Sequence, residues 1–152
     1  MTKTTGGILL YRFNEGVPEV LLVHPGGPFW AKKDEGAWSV PKGELNDGED
    51  PLAGAKREFE EETGSVVDGE FITLKPVKSS NKIIHAFALE HDLDATTIKS
   101  NLFSMEWPPK SGNMKEFPEV DKGAWFALPE ALIKINKYQA PILQELHGKL
   151  LK

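Results

Sequence analysis

The chain has 152 residues, of which 39% are hydrophobic and 27% charged, with no cysteine and a formal net charge of −5. This is one domain's length with enough apolar material for one core, and it leaves no disulfide framework, zinc–thiolate site or thiol nucleophile. The negative balance argues against bulk electrostatic binding to DNA or RNA, and no apolar run approaches the ~18–20 residues of a bilayer span. The N-terminal residues 1–7 lack a signal-peptide layout, so a cytoplasmic protein is expected. Residues 7–12 (GILLYR) and 18–24 (PEVLLVH) are predicted strands, joined by hairpin-turn chemistry at Asn14-Glu15-Gly16. Residues 25–36, rich in Gly, Pro and Lys, form no regular element, and 37–40 are predicted as a short strand stopped by Pro41. Asp50-Pro51 starts a helix that runs to Thr63, where Gly64 offers a left-handed stop. Residues 71–77 and 83–89 are further strands, 104–119 a long loop suited to substrate contact, and 124–127 a short aromatic strand. Residues 129–135 and 141–151 are predicted helices. With no internal repeat, the whole chain, 1–152, reads as a single domain in which helices cover a mixed sheet.

The acids are unevenly spread. On a helical wheel with Glu58 at zero, Glu61 falls near −60° and Glu62 near +40°, so three carboxylates share an arc of roughly 100°. Leu52, Ala55 and Phe59, at about +120°, +60° and +100°, form an apolar stripe that docks the helix, while Glu60 faces solvent. Carboxylates spaced i, i+3, i+4 repel one another. A hard divalent cation such as Mg²⁺ is their natural partner, and a net negative chain can thereby hold a phosphorylated ligand. Arg57, adjacent to the arc, can grip a carboxylate through paired hydrogen bonds. Taken alone, such a helix also reads as a solvated acidic face.

The wider spacing separates the two readings. Gly43 is followed after five residues by Glu49, after seven more by Arg57-Glu58, and then by Glu61-Glu62 and Gly64. Agreement of seven residue types in register arises by chance at one start with a probability on the order of 10⁻⁸ to 10⁻⁹. The run resembles the Nudix box, G-x5-E-x7-R-E-U-x-E-E-x-G-U, where U is a bulky apolar residue. The departure is Ser65 at the last position; Val66 and Val67 follow at once and are expected to take over its packing.

The resemblance implies the α/β class, an α/β/α sandwich with a mixed β-sheet covered by helices. It implies a metal-dependent hydrolase that cleaves the pyrophosphate linkage of a nucleoside diphosphate linked to another moiety. By the same resemblance Glu58, Glu61 and Glu62 ligate Mg²⁺ or Mn²⁺, with a backbone carbonyl around Lys42–Gly43 completing the shell. Arg57 orients a catalytic carboxylate, Glu58 itself belongs to the catalytic set, and Glu49 supports the loop–helix geometry. In several branches the general base is a carboxylate six residues before a tryptophan; here Glu119 stands six before Trp125. Glu116 is its rival, and a glutamate of the box serves in other branches.

Substrate contacts are expected from Lys42, which abuts Gly43, and from Trp107 in the long loop. Trp38 and Trp125, on short strands, are expected to pack against the core. Trp38-Ser39-Val40-Pro41-Lys42-Gly43 resembles the run before the box in diadenosine tetraphosphate hydrolases and RNA 5′-pyrophosphohydrolases. Dinucleoside polyphosphates are therefore the first expected substrates and nucleoside triphosphates the second. Around residues 81–83, however, neither the tyrosine of the dinucleoside polyphosphate group nor the proline that suggests ADP-ribose is present. A non-catalytic nucleotide-binding protein is the alternative class, although such proteins usually lose box carboxylates and all are present here. The expected partner is thus a nucleotide, with no membrane and no bulk nucleic acid, bound by a monomer or homodimer. The four histidines show no metal-ligand spacing.

Overall fold

A computed structural model describes residues 3–79 and 81–150. Strand β1 (Lys3–Asn14) carries the unbroken apolar run Ile8 to Tyr11 because both of its faces are covered. Ile8 and Leu10 point to one side with Leu21, Ala55, Phe59 and Phe87. Leu9 and Tyr11 point to the other with Val20, Leu22, Ile142, Leu143 and Leu146. One strand thus feeds two cores, and the layering is the expected α/β/α sandwich. Helix α1 (Pro51–Thr63) lies on the first face; α2 (Leu128–Lys134) and α3 (Ala140–Leu150) cover the second. The expected end of the last helix, Leu151, lies outside the described residues.

Strand β2 (Val17–Pro25) pairs antiparallel with the end of β1 through the two-residue turn Glu15–Gly16. It then leaves β1 and pairs with β9 (Val120–Ala127), longer than the segment expected. Residues 38–44 fill the gap so opened. Ser39 exchanges backbone hydrogen bonds with Val23 of β2, and the Pro41 carbonyl accepts from the Ile8 amide. Strand β3 (Lys42–Glu44) pairs antiparallel with Thr5–Gly7. The strand expected over 37–40 is therefore reduced to isolated bridges at Trp38 and Ser39, and the true strand begins after Pro41.

On the other side β1 runs parallel to β6 (Lys82–Glu90), whose outer edge takes β4 (Ile72–Thr73) and β5 (Val77–Ser79). The strand expected over 71–77 is broken between them, where Pro76 offers no backbone donor. A second correction concerns 104–119. In place of a loop there is an antiparallel hairpin, β7 (Leu102–Glu106) and β8 (Met114–Pro118). Its Pro- and Gly-rich residues are gathered at the tip, where the Glu106 carboxylate accepts from the Lys110 and Gly112 amides.

Candidate active site

Helix α1 is built from local signals. The Asp50 carboxylate accepts from the Ala53 amide at 3.0 Å, Pro51 takes the first turn, and Gly64 (φ 80°) donates to the Glu60 carbonyl. Ala55 and Phe59 are buried in the core, which turns Glu58 and Glu62 toward β3, leaves Glu61 half-buried beside Arg57 and leaves Glu60 exposed. At Ser65 the packing passes to Val67, 3% exposed, and not to Val66, 75% exposed.

Arg57 is the hub of the acidic face. Its Nε and Nη2 donate to both oxygens of Glu49 at 3.1 and 2.9 Å, and its Nη1 donates to Glu58 at 2.7 Å and to Glu61 at 3.5 Å. Glu49 also accepts from the Asn46 amide, so one carboxylate fastens both the loop before the helix and the guanidinium. The Arg57 hydrogen bonds hold Glu49 below the usual carboxylate range, with the Asn46 amide adding to the effect.

Gly43 is where the helix meets β3. A Cβ at this position would overlap the Glu58 carboxylate, so only a residue without a side chain lets that acid lie on the main chain. One residue earlier, the Lys42 amide donates to Glu62 Oε1 at 3.1 Å. Two of the three acids therefore contact the backbone of residues 42–43. Burial pushes Glu62 up to about 7, opposed by Lys42 and reinforced by the charges of Glu119 and Glu58. Burial also raises Glu58 against the pull of Arg57, with Glu61 adding repulsion. Carboxylate oxygens gathered at the main chain of residues 42–43, crowded and incompletely neutralised, are a donor set for a hard divalent cation. Among the described residues no three acidic or imidazole side chains converge on one point, and Arg57 supplies the positive charge to Glu58 and Glu61.

A cavity of about 740 Å³ opens beside this cluster, and Lys42, Glu62 and Glu119 all line it. Burial lowers the Lys42 ammonium, against the pull of Glu62. Glu119 is held between β8 and β9 by its backbone, which donates to the Asn101 carbonyl and accepts from the Gly26 amide. Glu116 sits opposite Ser104 within the hairpin and is not part of the lining. Trp107 is also outside the lining: it meets Phe29 edge-on, centroids 5.3 Å apart, at the end of the hairpin. The tryptophan on the cavity is Trp30. Trp38 packs in the core as expected, and Trp125 packs partly buried beneath the Arg12 guanidinium. Sequence reasoning missed the wall made by Asn136, Tyr138 and Gln139. The only local signal was Asn136, a cap-type residue that opens the 3₁₀ turn 137–139.

A family model described as NUDIX domain matches residues 1–146. Nudix hydrolase 7 of Arabidopsis thaliana is 34% identical over 105 residues, covering 63% of this chain and 36% of that protein. The matches to two other curated proteins cover 25% and 23% of their lengths, so the chain spans about a third or less of these relatives. Among solved structures, the NUDIX domain of Shewanella oneidensis NrtR complexed with ADP ribose superposes with a TM-score of 0.67 at 16% identity, covering 100% of this chain and 90% of that one. A C. elegans Ap4A hydrolase binary complex gives 0.63 at 21% identity, covering 99% and 98%. At these identities the two structures share the fold.

Proposed function

The chain belongs to the Nudix family, and from that premise we propose that it is a metal-dependent hydrolase of the pyrophosphate linkage in nucleoside diphosphate derivatives. The observation that carries the reading is the contact of Glu58 and Glu62 with the main chain of residues 42–43 at the edge of a cavity. Glu58, Glu61 and Glu62, with a carbonyl at 42–43, are the residues that would hold Mg²⁺ or Mn²⁺. When bound, such an ion neutralises phosphoryl oxygens and acidifies water. Arg57, itself locked by Glu49, fixes the direction of Glu58. Lys42 extends from the same backbone and meets phosphate in the cavity. Glu119 is the general base of this proposal, because it lines the cavity with Glu62, on which its charge acts, while Glu116 is not part of the lining. Trp107 belongs to the proposed substrate contacts only through Phe29, which it braces in the loop that also carries Trp30.

Dinucleoside polyphosphates are the first substrate class, supported by the run 38–43 and by the fold shared with an Ap4A hydrolase. Nucleoside triphosphates are the second, because residues 81–83 hold no tyrosine of the dinucleotide group; Asn81 and Lys82 line the cavity. The cytoplasmic location is part of the proposal; among the described residues no helix is long and apolar enough to cross a membrane. The test is product release from a panel of nucleotides with Mg²⁺ and then with a chelator. Hydrolysis that stops on chelation supports the reading, and equal product under both conditions overturns it.

A further inference from the structure

His24 is a buried titratable side chain, 1% exposed, that the proposed chemistry does not use. Its Nε2 lies 2.6 Å from the Lys33 carbonyl oxygen and its Nδ1 lies 2.9 Å from Asp121 Oδ1. A main-chain carbonyl and an ionised carboxylate only accept, so both ring nitrogens must donate, and only the imidazolium carries two protons. The half-buried Asp121 carboxylate supplies the matching charge. Other charges on the adjoining elements have their own partners. Lys122, opposite His24 in the β2–β9 register, lies over the Trp38 ring, which also packs edge-on against the imidazole. Asp34 of the loop pairs with Lys134 of α2. Beyond His24, the Lys33 amide donates to the Trp30 carbonyl at 3.0 Å, and the Lys33 ammonium lies 5.0 Å from the Trp30 ring centroid. A single residue thus links His24 to the tryptophan on the cavity.

We propose that His24 is a positioning residue: its imidazolium ties Lys33, and with it the Trp30 wall of the cavity, to Asp121 of β9, and loss of one ring proton releases that wall. When the proton leaves, the remaining N–H stays with the stronger acceptor, the Asp121 carboxylate. Nε2 then turns a lone pair toward the Lys33 carbonyl, and the contact becomes repulsive. Neither end of the loop follows. The Gly26 amide donates to the Glu119 carbonyl, and Asp34 accepts from the Trp38 indole N–H, so the release is confined to residues 30–33. It is a local opening, read by hydrogen exchange and not by the global melting transition. The wall is held at low pH and freed as pH rises. Its consequence for substrate, a KM that rises with pH, rests on the cavity being the nucleotide site; the clasp itself does not.

The experiment follows ring protonation by ¹⁵N NMR and hydrogen exchange of the Lys33 amide on the full chain, between about pH 5 and 8, where histidines ordinarily change charge. The His24 ring is assigned by its proximity to Trp38. At the acid end both ring nitrogens are expected to carry protons. Lys33 exchange, corrected for its intrinsic pH dependence, is expected to rise roughly 10-fold as the ring loses one. In Asp121→Asn the new amide can donate to Nδ1, so a neutral ring keeps its Nε2–H on Lys33 and exchange is expected to stay flat. His24→Gln has nothing to titrate there and is expected to be flat as well, so one folded variant suffices. A single ring proton at the acid end, no change of ring charge across the interval, Lys33 exchange indifferent to that change, or a rise that persists in a folded variant overturns the proposal. No nucleotide enters these measurements, so their failure leaves the hydrolase proposal intact, and an inactive nucleotide panel leaves the clasp intact.

Discussion

Glu62 is the acid most strongly opposed by its surroundings, and its sign can be worked out. In the unfolded chain it titrates near the ordinary 4.5, whereas in the fold burial lifts it to about 7. The native state therefore holds the extra proton between these values. Its contribution to stability is fully present below the unfolded value and is lost as pH rises through about 7. In chelator, thermal stability should fall across this window, and Glu62→Gln should abolish the fall, gaining about 1–3 kcal/mol at pH 8 after allowance for partial exposure. The same variant should lose turnover by roughly 10³-fold or more if the carboxylate is a metal ligand. A folded Glu62→Gln protein with full activity contradicts that role. Glu119→Gln should lower kcat by about 10²- to 10⁴-fold while Mn²⁺ affinity stays unchanged; an unaltered kcat moves the base to Glu116 or to the box. Gly43→Ala is a steric test. Its methyl group needs the place of the Glu58 carboxylate, so it should cost about 1–3 kcal/mol in stability and most of the turnover.

Among the elements, α1 was legible from end to end because its signals are local. The Asp50 cap, Pro51, the Gly64 stop and the buried Ala55–Phe59 stripe all lie within the helix or beside it. The acidic arc followed from rotation per residue alone. What sequence could not show is that Arg57 would hold Glu49, Glu58 and Glu61 together, since that depends on the path of residues 44–50. Glu49→Ala should release the guanidinium and lower turnover roughly 10- to 100-fold with α1 still formed, measured by kinetics beside far-UV dichroism. Unchanged kinetics would remove the positioning role. The misread elements are those whose order comes from partners. Lys42-Gly43-Glu44 has no strand composition and is extended because β1 presents open backbone groups there. The β7–β8 hairpin was hidden by Pro108, Pro109, Gly112 and Pro118, which mark its tip and its end while Phe103, Met105 and Phe117 form the pairing.

At the scale of the molecule, the cavity exists because β2 parts from β1 and segment 38–44 enters the gap. Its walls are drawn from the box, from the first strand, from 119–120 and from 136–139, segments distant in sequence. For this reason the acidic cluster could be read in the sequence and Gln139 could not. The loop 25–36 is fastened from both sides: His24 Nε2 contacts the Lys33 carbonyl at 2.6 Å, and Asp34 accepts from the Trp38 indole N–H at 2.8 Å and pairs with Lys134. Asp34→Ala should loosen the loop that carries Trp30, raising KM several-fold with kcat little changed; an equal fall in kcat would place the loop in the chemistry. The central claim is that the glutamates of α1 gather there to hold divalent ions, and anomalous diffraction from crystals soaked in Mn²⁺ with a nucleotide tests it most directly. The account predicts a metal peak among Glu58, Glu61 and Glu62 beside the main chain of residues 42–43, whereas water alone at that place would contradict it.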